Sequence, residues 1–481
     1  MINFNSKNKL NSIVKFLIYF MVASTSFHLS YLGVTVFFPI YFFALWQLTK
    51  IKSIAIAFFI GLLLSYSIYV YHLEFFIRIF KSFSFTLFTV LALWLALFLS
   101  LSVWFRKCYS VKLCSFLIPC LYLVLEFIRC ELYPLKFSWV IPGWSFAESA
   151  TYSGIGFFGV YGISFFTLLF ISCGQAFIRN QNLQYTGLLI LSILYQIPQF
   201  ITPFSQDFRQ GPRVTGIQWE MASRKELLQS LNKAQTQHPD TDIFFLSEYS
   251  FDEGIPEKIR EWCKKHKVYL LAGTTETIKD SSVIKNIKKN IGGKTKQKPY
   301  FNMAMVVGPE GKIVFKQAKV MPIQFFTDGV PALEQKVWHS PWGKLGIATC
   351  YDLSYSKVTD ELIRQGAQAL LIPTMDVEHW GLRQRNLHGR IAPTRAVEYR
   401  MPIYRVCSSG ISQFVDKNGR IQASGSYPGQ GDILSAQLEL NKKGARPLDR
   451  FLIYPLIVFM ASVIPLSVLV QIKRAHPKAR P

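Results

Sequence analysis

Acidic side chains are scarce in the first 205 residues of this 481-residue chain, where only four occur: Glu74, Glu126, Glu131 and Glu148. A soluble domain of that length would carry many more charges, so an ordinary globular structure is excluded for this part. Between residues 206 and 440, charged residues, glycine and proline are spread throughout. The sequence therefore predicts one membrane domain and one globular domain.

Closely spaced cysteines are also lacking. The eight cysteines include no pair separated by two residues, which argues against structural zinc. Three of them lie in the globular part, namely Cys263, Cys350 and Cys407. The other five lie in or beside apolar runs and are expected to pack as small side chains: Cys108, Cys114, Cys120, Cys130 and Cys173. We expect neither a metal nor a cofactor.

Signatures of nucleic-acid binding are missing as well. The net charge of +24 is accompanied by no zinc-finger spacing, helix-turn-helix or RNA-binding motif. Many of the lysines and arginines instead flank apolar runs, where such residues fix topology and contact anionic head groups. We expect these lysines and arginines to interact with the membrane and not with a nucleic acid.

What the sequence has in abundance is apolar runs of bilayer length, which is about 20 residues in a helix. Eight such segments are recognised, at roughly 12–31, 33–49, 53–72, 83–105, 112–132, 154–178, 184–203 and 451–471. The first seven make residues 1–205 a membrane domain of seven predicted transmembrane helices. The eighth precedes a basic tail at 472–481.

The distribution of basic residues predicts the orientation of these segments. With the N-terminus in the cytoplasm, the inside loops contain Lys7, Lys9, Lys50, Lys52, Arg106, Lys107, Lys112, Arg179, Lys473, Arg474, Lys478 and Arg480. The short outside loops contain fewer, as the positive-inside rule requires. Seven crossings precede the globular domain at 213–437, which we therefore predict on the outer face, with the C-terminus inside.

The globular part alternates short apolar strands with helical stretches, which is typical of an α/β domain. Three strand ends carry reactive side chains: Glu248 follows Ile243–Leu246, Lys319 follows a strand after the turn Pro309-Glu-Gly311, and Cys350 follows Leu345-Gly-Ile-Ala-Thr. A cysteine nucleophile needs a base to remove its proton and a cation to stabilise its anion. A carboxylate and an ammonium group supply those two functions.

The local sequences around these residues resemble a known family. Gly346-Ile-Ala-Thr-Cys-Tyr-Asp352 resembles the nucleophile segment of the nitrilase (carbon-nitrogen hydrolase) superfamily, and Leu246-Ser-Glu-Tyr-Ser250 resembles its general-base segment. Lys319 lies at the family's spacing from Gly311. Because apolar segments bracket the domain, and Gly159-Val-Tyr-Gly-Ile-Ser-Phe165 also matches, the chain resembles the apolipoprotein N-acyltransferase family within that superfamily.

The resemblance implies a fold and an activity. The expected architecture is a multi-pass α-helical membrane domain plus an α/β nitrilase-like domain, a four-layer αββα sandwich. Cys350 would take a fatty acyl chain from a phospholipid as a thioester and pass it to the amino group of a diacylglyceryl-cysteine in an apolipoprotein. The protein would be a monomer of the bacterial inner membrane, with its catalytic domain in the periplasm.

The resemblance also implies the roles of individual residues. Glu248 would act as general base, and Lys319 would stabilise the oxyanion with help from the backbone N–H of Tyr351. Three polar side chains would support them: Asn302, Asp352 and Asp328. Asn302 matches the family within Tyr300-Phe-Asn302. Asp352 lies where the family has a glutamate after Cys-Tyr, and Asp328 matches the family's downstream carboxylate.

Several alternatives stay open at the level of sequence. Lys316 is the rival of Lys319, and counting back from Pro322 would instead place Gln317 at the lysine position, as in an inactive protein. The same triad could also serve a membrane-anchored amidase, or an acyltransferase that uses another amine. A catalytically inactive lipoprotein-binding homologue is the alternative from a different class.

Overall fold

The computed structural model describes residues 3–148, 154–180, 208–279, 298–442 and 444–475. The chain divides into two units. The helical unit comprises residues 1–205 together with 447–481, and the second unit comprises residues 206–446.

The helical unit is built from the apolar runs, because a helix satisfies all backbone hydrogen bonds within its own segment. Its α-helices are Asn3–Tyr31, Phe37–Leu48, Ile54–His72, Phe75–Phe80, Phe83–Cys108, Val111–Phe127, Ile155–Phe158, Gly162–Asn180 and Asp449–Ala475. A π-helical turn extends one of them over Ile128–Leu132, and a 3-10 helix spans Pro142–Phe146.

Four of these helices are long and apolar enough to cross a membrane: Ile54–His72, Phe83–Cys108, Val111–Leu132 and Asp449–Arg474. The helical unit therefore has the helices of a membrane protein. The predicted segment 184–203 lies outside the described residues, so the count of eight crossings stays a prediction.

The sixth predicted segment, 154–178, is not one continuous helix. It is interrupted at Gly159, whose φ is +85°, between the helices Ile155–Phe158 and Gly162–Asn180. The Asp449 carboxylate fills the interruption and accepts hydrogen bonds from the backbone N–H groups of Tyr161 (3.2 Å) and Gly162 (3.3 Å). A Cβ on Gly159 would lie 2.1 Å from that carboxylate, so only glycine fits. Hydropathy alone could not reveal this break.

The described residues of the second unit form twelve strands. Their bounds are β1 Phe208–Trp219, β2 Ile243–Leu246, β3 Tyr269–Thr277, β4 Tyr300–Val307, β5 Ile313–Ala318, β6 Val337–Ser340, β7 Gly343–Ile347, β8 Ala369–Thr374, β9 Ile403–Cys407, β10 Gln413–Val415, β11 Ile421–Ser424 and β12 Gln430–Asn441. They form two six-stranded sheets, ordered β12-β1-β2-β3-β4-β5 and β11-β10-β9-β8-β7-β6.

Each sheet has a parallel centre flanked by antiparallel strands. In the first, β1, β2 and β3 run parallel, and in the second, β7, β8 and β9 do. The carboxyl ends of parallel strands meet at one edge of a sheet, where functional side chains commonly gather. The strand β5 is antiparallel to β4, which is antiparallel to β3, so β5 also ends at that edge.

The two sheets pack face to face over an apolar core. Side chains from both contribute to it, among them Phe245 and Leu271 from the first sheet and Ile347 and Leu371 from the second. The outer face of the first sheet is covered by the helices Arg224–Gln237 and Glu257–His266, through residues such as Leu231 and Trp262.

The second sheet carries its own helices, Ser356–Arg364, Leu382–Gly389 and Ile391–Tyr399. Their buried faces include Leu362 and Val397. The four-layer αββα arrangement expected from the resemblance is thereby confirmed. The predicted hairpin is also present, with β4 and β5 joined at Gly311, where φ is +71°.

Candidate active site

Three side chains singled out in the sequence are buried just beyond the carboxyl ends of three strands. Glu248 follows β2, Lys319 follows β5 directly, and Cys350 follows β7. Their exposed fractions are 3%, 0% and 2%. The first two belong to one sheet and the third to the other, so the edge of the sandwich brings them to a common place.

Glu248 and Lys319 are held in a closed polar network. The Lys319 ammonium lies 2.9 Å from Glu248 Oε1 and 2.7 Å from Asp328 Oδ2. Asn302 donates through Nδ2 to Glu248 Oε1 (2.6 Å) and to Asp328 Oδ1 (2.9 Å). Tyr249 donates its hydroxyl to Asp328 Oδ1 at 2.8 Å. One cation is therefore shared by two carboxylates, and both are fixed by neutral donors.

Lys316 and Gln317, the rivals of Lys319, lie elsewhere. The Lys316 ammonium pairs with Glu276 at 2.6 Å, and its side chain is 39% exposed. Gln317 donates to the backbone oxygen of Glu334 and accepts from the backbone N–H of Lys336. Lys319 is thus the lysine that the structure places against Glu248.

Cys350 lies in the tight turn that follows β7, where it is the first residue of the 3-10 helix Cys350–Ser354. Its φ is +53°, a left-handed conformation that costs free energy in a residue with a Cβ. The thiol sulfur lies 3.8 Å from the backbone oxygen of Met375. The next residue, Tyr351, is buried with its ring against that of Tyr355, at 5.0 Å between centroids.

Asp352 ties this turn to the segment that follows Lys319. Its carboxylate accepts hydrogen bonds from the backbone N–H groups of Thr349 (3.0 Å), Val320 (3.1 Å) and Met321 (2.6 Å). Two segments from different sheets are therefore clamped by one side chain. The short aspartate side chain completes this clamp.

Residues 243–446 match the carbon-nitrogen hydrolase family. The chain carries a carbon-nitrogen hydrolase domain in its C-terminal half. This domain coincides with nearly all of the second unit, including every residue of the polar network above.

Individual relatives extend the comparison. An apolipoprotein N-acyltransferase of Geobacter metallireducens is 22% identical over 55% of this chain and 57% of its own length. Apolipoprotein N-acyltransferase 1 of Treponema denticola is 23% identical over 66% of this chain and 70% of its own. An omega-amidase of Danio rerio is 25% identical, but over only 29% of this chain and 51% of its own. The chain thus spans little more than half of the first relative.

Burial dominates the electrostatics of this candidate site. It raises the pKa of the Cys350 thiol well above its usual value, and the Glu248 charge raises it further. Burial also raises the pKa of Glu248, against the opposing effect of Lys319. For the Lys319 ammonium, burial alone lowers the pKa, but Glu248 and Asp328 outweigh it and raise the pKa well above normal. The lysine is a fixed cation, and Glu248 is a carboxylate able to take up a proton.

A pH effect on stability is expected at Asp352, whose pKa burial raises to about 6. This pKa is above the pKa of aspartate in the unfolded chain. The free energy of unfolding should therefore decrease by on the order of 3 kcal/mol as pH rises from about 4 through 6. Asp352→Asn cannot titrate. The difference in Tm, wild type minus variant, should therefore fall across that range.

The control for this measurement is Asp252→Asn, at an exposed aspartate of the same domain. An equal fall in the Asp252→Asn difference would show that the pH dependence is not specific to Asp352. A pH-independent difference for Asp352→Asn would show that Asp352 does not titrate near pH 6.

One part of the site, the turn at Met375 and Asp376, is not among the residues predicted from the sequence. The backbone N–H of Met375 donates to Glu248 Oε2 at 2.8 Å. A signal was available, because these residues directly follow the apolar strand β8, as Cys350 follows β7. Asp376 therefore lies, like Cys350, just beyond the carboxyl end of a buried parallel strand, the position that marks a candidate site residue.

Proposed function

We propose that this protein is an apolipoprotein N-acyltransferase, which moves a fatty acyl chain from a phospholipid, through a thioester on Cys350, to the N-terminal amino group of a diacylglyceryl-cysteine. The observation that carries the proposal is the buried grouping of Glu248, Lys319 and Cys350 within a chain that also has membrane-spanning helices. The acyltransferase relatives align beyond the hydrolase domain, whereas the amidase aligns over less than a third of the chain.

The first half-reaction forms the thioester. Glu248 takes the thiol proton, and the Cys350 sulfur attacks the ester carbonyl of the phospholipid. The oxyanion of the tetrahedral intermediate is stabilised by the Lys319 ammonium and the backbone N–H of Tyr351. The intermediate collapses with cleavage of the ester C–O bond, and Glu248 returns its proton to the departing lysophospholipid oxygen.

The second half-reaction consumes the thioester. The lipoprotein amine attacks the thioester carbonyl, and the same cation stabilises the second oxyanion. The C–S bond breaks, an amide remains on the lipoprotein, and Glu248 transfers the amine proton to the leaving sulfur. Both substrates are lipids, so a membrane-embedded enzyme can receive them laterally, without either leaving the bilayer.

Complementation tests the function directly. The full chain is expressed in a bacterial strain depleted of its own N-acyltransferase, with Cys350→Ala as the control. Growth should be restored only by the wild type, and the N-terminal peptide of an abundant lipoprotein should gain the mass of one acyl chain. A wild type that is membrane-inserted, releases ammonia from amides and adds no acyl chain would support the amidase alternative.

Glu248→Gln should reduce acylation of Cys350 by at least about 10²-fold, the contribution typical of a general base. The amide keeps the size of the side chain but cannot accept the thiol proton, and its nitrogen would face the Met375 N–H. Labelling with an alkyne fatty acyl phospholipid measures the rate. Glu253→Gln, at an exposed position, is the matched control. Near-normal labelling would instead make Asp328 the candidate base.

We also propose that the hydrolase domain lies in the periplasm and both termini in the cytoplasm, on the distribution of basic residues. Alkaline phosphatase fused after Lys442 should be active, and a fusion after Pro481 should not. The first junction keeps β12, which ends at Asn441 and pairs with β1. The reverse pattern of activities would place the domain in the cytoplasm, away from lipoprotein substrates.

A further inference from the structure

The backbone of Met375 contacts both Glu248 and Cys350, the two residues between which the proton is proposed to transfer. Its N–H donates to Glu248 Oε2 at 2.8 Å, and its carbonyl oxygen lies 3.8 Å from the Cys350 sulfur. Small shifts of this one residue would therefore change the orientation of the base and of the thiol together. Met375 follows the last residue of β8, so the sheet ladder does not hold it.

The neighbouring residue, Asp376, is held by side chains from two other segments. Its Oδ1 accepts from Gln384 Nε2 and His388 Nδ1, both at 2.8 Å, and its Oδ2 accepts from Arg405 at 2.7 Å. Gln384 and His388 are four residues apart on the helix Leu382–Gly389 and so project from one face. Arg405 belongs to β9.

The backbone of Asp376 is fixed as well. Its N–H donates to the Ser408 hydroxyl oxygen at 3.0 Å, and its carbonyl oxygen accepts from the same hydroxyl group at 2.7 Å. The Ser409 N–H donates to that carbonyl oxygen at 2.8 Å. A Cβ on Gly410 would lie 2.2 Å from Asp376 Oδ2, so the surrounding chain is closely packed.

This arrangement is buried and charged. Asp376, His388 and Arg405 are each at most 2% exposed. A buried carboxylate is tolerated only when its hydrogen bonds and charge are satisfied, as they are here. Such a network has little freedom to move, which makes it suited to holding an adjacent residue in place.

We propose that Asp376, His388, Gln384 and Arg405 form a positioning cluster that fixes the Met375 backbone against Glu248 and Cys350. The cluster acts through Met375 and does not exchange protons with substrate. The inference rests on the roles proposed for Glu248 and Cys350, but not on the identity of the acyl acceptor.

Substitution of His388 tests the proposal most directly. The side-chain amide of asparagine can occupy the position of the imidazole Nδ1–H and donate the same hydrogen bond to Asp376. His388→Asn keeps that hydrogen bond and cannot transfer protons, whereas His388→Leu removes it. The matched control is His339→Leu, at an exposed histidine of β6. All variants are made in the full-length protein in detergent.

Two readouts separate this inference from the proposed function. One is the rate of Cys350 alkylation by iodoacetamide, followed by mass spectrometry of its peptide, which needs no natural substrate. The other is kcat and KM for release of lysophospholipid. We expect His388→Leu to lower alkylation and kcat by about 10- to 100-fold with little change in KM, since misplaced reacting groups cost that much.

Each outcome of these measurements either supports the positioning role of the cluster or contradicts it. Recovery to within about threefold of wild type in His388→Asn would establish positioning, since catalytic geometry depends on such supporting hydrogen bonds. Equal losses in the Asn and Leu variants, or no loss in either, would overturn it. Should His388→Leu fail to fold, Ser408→Ala removes the hydroxyl contacts to the Asp376 backbone, and unchanged Cys350 alkylation there would also overturn it. Normal wild-type alkylation without acyl transfer would count against the proposed function alone.

Discussion

Replacing Cys350 with alanine is expected to abolish acyl transfer, with a fall of at least about 10⁴-fold, comparable to the loss of other catalytic nucleophiles. In the proposed mechanism, the thiol holds the acyl chain between the two half-reactions. Alanine also carries a Cβ, so the strain at φ +53° is unchanged and the turn should persist. The hydroxylamine-sensitive label from a fatty acyl phospholipid measures the intermediate directly.

Cys350→Ser should be nearly as inactive, because a serine hydroxyl is far harder to deprotonate than a thiol at neutral pH. Cys263→Ala and Cys407→Ala are the controls, since both of these thiols are also buried and free in the domain. If the label persisted in Cys350→Ala and was mapped to either of them, Cys350 would not be the nucleophile.

Lys319→Met should lower the rate of acylation by about 10²- to 10³-fold, the cost of losing one preorganised oxyanion-stabilising group. The structure adds a second effect. Lys319 is fully buried between Glu248 and Asp328, and its removal leaves two carboxylates close together without a cation. Breaking a buried ion pair costs about 3–5 kcal/mol, so a lower Tm should accompany the loss of rate.

Lys316→Met separates these effects from a general loss of positive charge. Its ammonium is partly exposed and paired with Glu276 on the surface, and such pairs contribute about 1 kcal/mol or less. We expect this variant to retain nearly normal rate and Tm. The opposite ranking of the two lysine variants would transfer the catalytic role to Lys316.

Much of this architecture could be anticipated because it depends on local pattern. Apolar runs followed by Glu248 and Cys350 predicted that both side chains lie at the carboxyl ends of strands, where functional side chains commonly gather, although the two strands belong to different sheets. Lys316 and Lys319 are three residues apart on an extended segment and therefore face opposite sides. The structure puts the first partly in solvent and the second in the interior.

Other features depend on segments distant in sequence and have no local signature. The Asp352 clamp joins Thr349 to Val320 and Met321, and nothing in the order of residues predicts that pairing. Arg405 meets Asp376 from a strand 29 residues further on. A hydropathy profile likewise registers the apolar character of 154–178 but not its interruption at Gly159.

That interruption has a consequence for the order of assembly. Asp449, which caps the broken backbone at Tyr161 and Gly162, emerges from the ribosome only after the whole hydrolase domain has been synthesised. The helix Asp449–Ala475 also receives hydrogen bonds from earlier segments, through Trp104 to Ser467 and Tyr109 to Val463. The final helix is therefore needed to complete the helical unit, because until it inserts the N–H groups of Tyr161 and Gly162 lack the carboxylate that they bind in the finished structure.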